Sequence, residues 1–199
     1  MPNWLSSMKQ TFEYYIVDPS TWKDSKKIDN VISSSISWDS TAETLGSASI
    51  RVDEPMGECY IRIYMITIQN GISEKHPLGT FLIQTPSYSF DGKTKNITLD
   101  AYTPLIELKE NYPPLGYSIM KGANILDNVS SLIKENARAP IHEAKSEHVL
   151  HSNFVAGIDE TWISFLTGLL SNAKYHFRID ELGRVMFMPN QDTRSLQPV

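Results

Sequence analysis

The chain has 199 residues, 41% apolar and 21% charged, with a formal net charge of −5, ordinary values for a globular fold. That mild acidity argues against non-specific grip on DNA or RNA, which needs clustered Lys and Arg to displace counterions; the nearest cluster, Lys23, Lys26 and Lys27, is diluted by Asp24 and Asp29. No window approaches the ~20 apolar residues of a membrane span, Met1-Pro2-Asn3 does not open a signal peptide, and the lone Cys59 excludes an internal disulfide framework and mildly favours synthesis in a reducing compartment.

In chain order, Phe12 to Val17 is a β-prone run ended by the Asp18-Pro19-Ser20 turn. Val31-Ile32 and Ile36 to Trp38 suggest a second strand. Ala48, Ile50 and Val52 alternate with Ser49, Arg51 and Asp53, the period of a half-buried strand. From Tyr60 to Gln69 the alternation is apolar or aromatic on both faces, which predicts a strand covered on two sides; Asn70-Gly71 supplies the turn after it. The stretch from Pro77 to Pro114 organises the rest. Phe81, Leu82 and Ile83 form a strand that Tyr88 and Phe90 continue past Pro86, Asp91-Gly92 gives hairpin-turn chemistry, and Ile97 and Leu99 return. Leu105, Ile106 and Leu108 then lead to Pro113-Pro114. A double proline continues neither a helix nor a central strand, so a domain border is expected there. About six strands in ~110 residues is the density of a small antiparallel barrel or sandwich.

Beyond Pro114 the period changes. Ile125, Leu126, Val129, Leu132 and Ile133 make the stripe of an amphipathic helix over 124–137, and Pro140 forces its end. A second helix follows Asp159 as N-cap, with Trp162, Leu166, Leu169, Leu170 and Ala173 on one side. A short strand at 152–155 and a hairpin of Tyr175, Phe177, Ile179 and Val185, Phe187 complete a compact α+β unit. The fold class expected is therefore α+β: an antiparallel β-barrel over residues 1–111, incomplete without further strands, then a small α+β domain over 115–199. The end at Gln197-Pro198-Val199 suggests the N-terminal part of a longer polypeptide.

Chemistry is harder to place. His142, Glu143, Glu147, His148 and His151 fall within ten residues, but HEAKSEH is not HExxH, and its extra positions turn the second His off the first one's face. The segment follows Pro140 and lacks apolar periodicity, so it reads as a polar loop with no metal site. No GxSxG elbow, GxGxxG or GxxxxGK[ST] occurs. Asp159-Glu160 and Asp180-Glu181 suit a helix cap and a turn better than an acid–base pair. No catalytic residue and no cofactor is expected. Trp4, Trp22, Trp38 and Trp162 could build a sugar platform, although most occupy positions expected to face a core. Lys93 and Lys95 at the hairpin tip are either a solvated turn or one side of a contact with acidic residues.

The segment LGTFLIQTPSYSFDGKTKNITLDAYTPLIELKENYPPLGYSIMKGANILDNVSSLI, with DETWISFLTGLLSNAKYHFRIDELGRVMFMPNQDTRSLQPV, resembles the N-terminal half of phage tail baseplate hub proteins of phages and phage-like particles of Gram-positive hosts. The resemblance lies in the strand–DG hairpin–DAY.PL run, the KG.NI helix entry, and the Trp-containing helix followed by a hairpin with Asp-Glu-x-Gly-Arg. It covers residues 77–199, and none of its motifs is catalytic.

The resemblance implies a non-enzymatic assembly protein: a homotrimeric hub with tail-tube-like β-barrels, joining the tail tube protein to the spike or tip protein and to other baseplate proteins. It implies a place in the virion after assembly in the host cytoplasm, with no stable nucleic-acid binding and no membrane insertion. The strand Tyr60–Gln69 and the hairpin Phe81–Leu99 are the candidate packing and interface elements, with Tyr60, Arg62, Tyr64, Phe81, Lys93 and Lys95 as candidate contact residues. A tail-tip cell-wall hydrolase and a carbohydrate- or receptor-binding tail module are the alternatives. Fold alone does not decide between them.

Overall fold

The computed structural model describes residues 4–90 and 95–191. Contacts divide the chain into two compact units: residues 1–106 with Asp180–Gly183, and residues 107–179 with 184–199.

The first unit is built on one seven-stranded antiparallel sheet. Its strands are β1 (Lys9–Val17), β2 (Asp24–Ile28), β3 (Val31–Trp38), β4 (Gly46–Val52), β5 (Tyr60–Gln69), β6 (Ile72–Phe90) and β7 (Lys95–Tyr102), in the order β2-β1-β5-β6-β7-β4-β3. Every strand contributes to a single interior: Tyr14, Ile28, Ile50, Ile63, Phe81 and Leu99 are buried in it, and Val31 and Ile36 of β3 pack against it. The Tyr14 hydroxyl meets the Ser34 hydroxyl at 2.8 Å. The hydrogen-bonded ladder nevertheless runs from β2 to β3 without closing among the described residues. The α+β class holds with an open sheet where a barrel was expected.

Two strands differ from the pattern in the sequence. β2, DSKKI, buries only Ile28; its alternation is invisible because pairing with β1, not burial, makes it a strand. β6 begins at Ile72, nine residues before Phe81, because the polar run up to Thr80 pairs with β5 from Gln69 back to Arg62. Asn70 and Gly71, at φ 51° and 78°, make the expected turn between them. The Asp91-Gly92 turn lies outside the described residues.

From the last residue of the first unit's long segment, α1 (Ile106–Glu110) leads into the second unit, where the sequence showed only an apolar approach to Pro113; Leu105 and Leu108 are buried. Then come β8 (Ser118–Ile119), α2 (Ile125–Asn136), β9 (Ile141–His142), β10 (Phe154–Val155), α3 (Trp162–Asn172), β11 (Tyr175–Ile179) and β12 (Val185–Pro189). α2 buries the five residues of its stripe and is capped by Asn124, whose side chain accepts the Asp127 N–H at 3.1 Å. The β11–β12 hairpin takes β9 as a parallel third strand, while β8 and β10 form a separate ribbon. No helix among the described residues is long and apolar enough to cross a membrane.

The cap of α3 is a correction. Asp159 turns the chain at φ 58°, and Thr161 is the extended residue before the helix, its Oγ1 accepting the Ser164 N–H at 3.3 Å. Thr161→Ala is expected to lower unfolding free energy by about 1 kcal/mol, while Asp159→Asn, which tolerates the left-handed backbone there, is expected to cost much less; chemical denaturation of both variants checks this.

Candidate functional site

Of the residues singled out in the sequence, Tyr60, Arg62 and Tyr64 come together, on one face of β5 inside the first unit. Strand alternation sends Ile61 and Ile63 to the interior and Tyr60, Arg62 and Tyr64 to the opposite face, where all three are also buried. That outer face is covered by the Trp22 turn, by Leu82 and Ile106, and by Asp180–Gly183. Phe81 lies fully inside the core. These four side chains are therefore spent on packing within the unit, and a contact made through β5 and β6 must use other residues of those strands. Lys93 lies outside the described residues; Lys95 opens β7, and its side chain is not among those described.

Arg62 is the centre of the arrangement. Its Nε donates to Thr80 Oγ1 at 2.9 Å, its Nη1 to Asp24 Oδ1 at 2.8 Å, and its Nη2 to the carbonyls of Leu182 at 3.0 Å and Trp22 at 3.3 Å. Tyr64 donates to the other Asp24 oxygen at 2.7 Å, and Trp22 Nε1 donates to Leu182 O at 2.8 Å. A planar five-donor guanidinium matches such a divergent set of acceptors, which an ammonium does not. Trp22 takes φ 56°, which brings its ring edge-on to Tyr60 at 4.8 Å. Gly183 sits at φ 77° where an added Cβ would lie 2.7 Å from the Thr80 Cβ, so only glycine lets this turn lie so close to Thr80. Burial, helped by the bond to Asp24, holds the Tyr64 phenol above its usual range. The network organises structure; it contains no nucleophile–base pair.

On the rim of this face, Lys75 Nζ sits 4.0 Å from the Tyr15 ring centre and 3.8 Å from that of Tyr64. Glu13 accepts from Lys27 at 2.7 Å and from the Tyr15 hydroxyl at 2.9 Å. The Lys27 bond, then the Tyr15 bond, pull the Glu13 carboxyl below its ordinary value. A depressed carboxyl contributes its stability above the unfolded value near 4.5 and loses it as pH falls through the folded value. Glu13→Gln is thus expected to flatten the acid limb of a stability–pH curve below that pH and to leave its shape unchanged at pH 7–8.

The remaining candidates do not converge. His142 and His151 are exposed, His148 stacks edge-on to Tyr175 at 6.4 Å, and no three His, Cys, Asp or Glu among the described residues are placed to share a metal ion. Cys59 is half-buried, and burial pushes its thiol up, away from thiolate reactivity. A shallow hollow of about 130 Å³ lies among Ser35, Ser37, Ser47, Ser49 and Asp100, and an open one of about 360 Å³ lies between Lys26–Asn30 and Glu54–Met56.

No protein-family model matches the chain, and no curated protein matches it. Solved structures do. A tail protein from Neisseria meningitidis MC58 superposes with a TM-score of 0.64 at 12% identity, covering 96% of this chain and 54% of that one. The 43 kDa tail protein of prophage MuSo2 from Shewanella oneidensis gives 0.57 at 10% identity, covering 90% and 53%. Prophage tail protein gp18 from Listeria monocytogenes EGD-e gives 0.50 at 10%, covering 89% and 50%. The chain has the fold of these tail proteins and spans about half their length.

Proposed function

We infer that the chain is a structural, non-enzymatic part of a phage or phage-like tail baseplate: a hub subunit that assembles as a trimer and joins the tail tube to the spike or tip. The observation that carries this reading is the likeness to a tail protein along 96% of the chain. The arrangement of Arg62 supports it, since this buried guanidinium is spent on holding the fold. In this reading the seven-stranded sheet is the larger part of a tail-tube-like barrel over residues 1–111, and residues 115–199 form an inserted α+β domain. Its place is the virion tail, after assembly in the host cytoplasm.

Cyclic oligomers of this kind repeat one heterologous contact around an axis. Sedimentation equilibrium of the full protein, alone and with tail-tube and spike proteins of the same particle, tests the reading. A trimer that binds both is expected. A stable monomer at micromolar concentration, binding neither, overturns it, and peptidoglycan cleavage by the pure protein would move the chain to the hydrolase class.

A further inference from the structure

The interior face of the sheet does not stop where the core stops. β5 carries that face onward from Ile63 through Met65 and Thr67 to Gln69, and the strand registers fix what lies beside it. Tyr14, Ile63 and Gly79 form one row, and the Trp38 ring lies against Gly79 and, at 5.7 Å, against Phe81. In the next row on this face Phe12 and His76 flank Met65, and the Trp4 ring rests on His76 at 5.8 Å. Two rows further, Ile72 stands opposite Gln69. With two residues between rows, these side chains span roughly 20 Å of one face. Trp4 is 56% exposed, Phe12 51%, Trp38 45% and Ile72 67%.

We propose that this aromatic face is the surface through which one copy of the chain meets another; the proposal rests on the trimeric-hub reading and names its contact. Size is the first argument. A large side chain has about 150–250 Å² to bury, so four at about half exposure present about 450 Å². A standard interface takes ~800 Å² per partner, ~57% of it apolar, which is the same apolar area. Charge is the second. Lys9, Glu13 and Lys75 lie on the opposite face by register, and the ionisable side chains in these rows are Glu74 and His76, 3.7 Å apart. A chain of net charge −5 meets its own copy with least repulsion where charge is thinnest. Composition is the third: Trp and Phe are the anchors that interfaces favour.

The test is sedimentation of the full chain from 1 to 100 µM as wild type, as Phe12→Glu with Ile72→Glu, and as Ile68→Glu on the opposite face. Wild type is expected to self-associate, the double variant at least tenfold more weakly, and Ile68→Glu as wild type. Thermal unfolding by far-UV circular dichroism confirms that each variant folds; should the double variant not fold, Trp4→Glu replaces it with the same expected outcome. An oligomer that survives the substitutions overturns this face and leaves the hub reading intact. A monomeric wild type overturns both. Quenching of tryptophan fluorescence by soluble peptidoglycan fragments, with no self-association, assigns the face to a glycan and overturns the proposal.

Discussion

Replacing Arg62 with Met is expected to cost the first unit about 3 kcal/mol of unfolding free energy, the low end of the range for breaking a buried ion pair. The Arg62 side chain is 5% exposed and that of Asp24 26%, so Asp24 keeps some hydration after the loss, which sets the figure at the low end. Methionine preserves much of the stem, so the change isolates the guanidinium and its bonds to Thr80, Asp24, Trp22 and Leu182. Arg62→Lys should recover less than half, because one ammonium cannot reach acceptors that diverge around a plane. Asp24→Asn keeps an acceptor for Arg62 but leaves the buried guanidinium without a counter-charge, so it should cost at least as much as Arg62→Met, about 3 kcal/mol. Denaturant unfolding with a double-mutant cycle measures the coupling. A loss below ~1 kcal/mol for Arg62→Met would show that the network is ornamental to stability.

Phe165→Ala should have an effect of similar or larger size in the second unit, about 4 kcal/mol. Phe165 is fully buried, with ring centres of Phe154 at 5.0 Å, Tyr117 at 5.7 Å and Trp162 at 5.9 Å. Truncation removes the ring that all three touch, losing transfer energy and the edge-to-face contacts together. Collapse into the space is limited because Phe154 already lies against Gly168, where an added Cβ would be 3.0 Å from the ring. Hydrogen exchange should show lost protection in α3 and in the β8–β10 ribbon, while β5 and β6 keep theirs. Val155→Ala, at a position 58% exposed, is the control and should stay within ~0.5 kcal/mol. Uniform loss of protection through both units would contradict the division drawn from contacts.

The elements that the sequence showed most clearly were those whose burial is periodic. Ile125, Leu126, Val129, Leu132 and Ile133 are the buried stripe of α2, and Tyr60–Gln69 is a strand with those ends. Two-sided cover of β5 was legible as well, and it holds from Tyr60 to Tyr64; at Ile68, 37% exposed, the strand runs past the elements that cover it. The cap of α3 was misplaced because Asp159 and Thr161 are both plausible acceptors by type, and only the backbone angle at Asp159 separates them. The role of Arg62 left no signal. Its partners Trp22, Asp24, Thr80 and Leu182 are up to 120 residues away, and a lone arginine in an apolar strand reads equally well as surface charge.

Local pattern therefore determined the α+β class, the hairpins and the amphipathic helices, because side-chain period and turn chemistry act over a few residues. Tertiary structure decided which face of β5 each residue serves, that DSKKI is a strand, that the sheet's ladder stays open, and that Tyr60, Arg62, Tyr64 and Phe81 are buried. Those outcomes depend on pairing and burial between segments far apart in the chain, where the free energy of a residue is set by neighbours that its own sequence context does not contain.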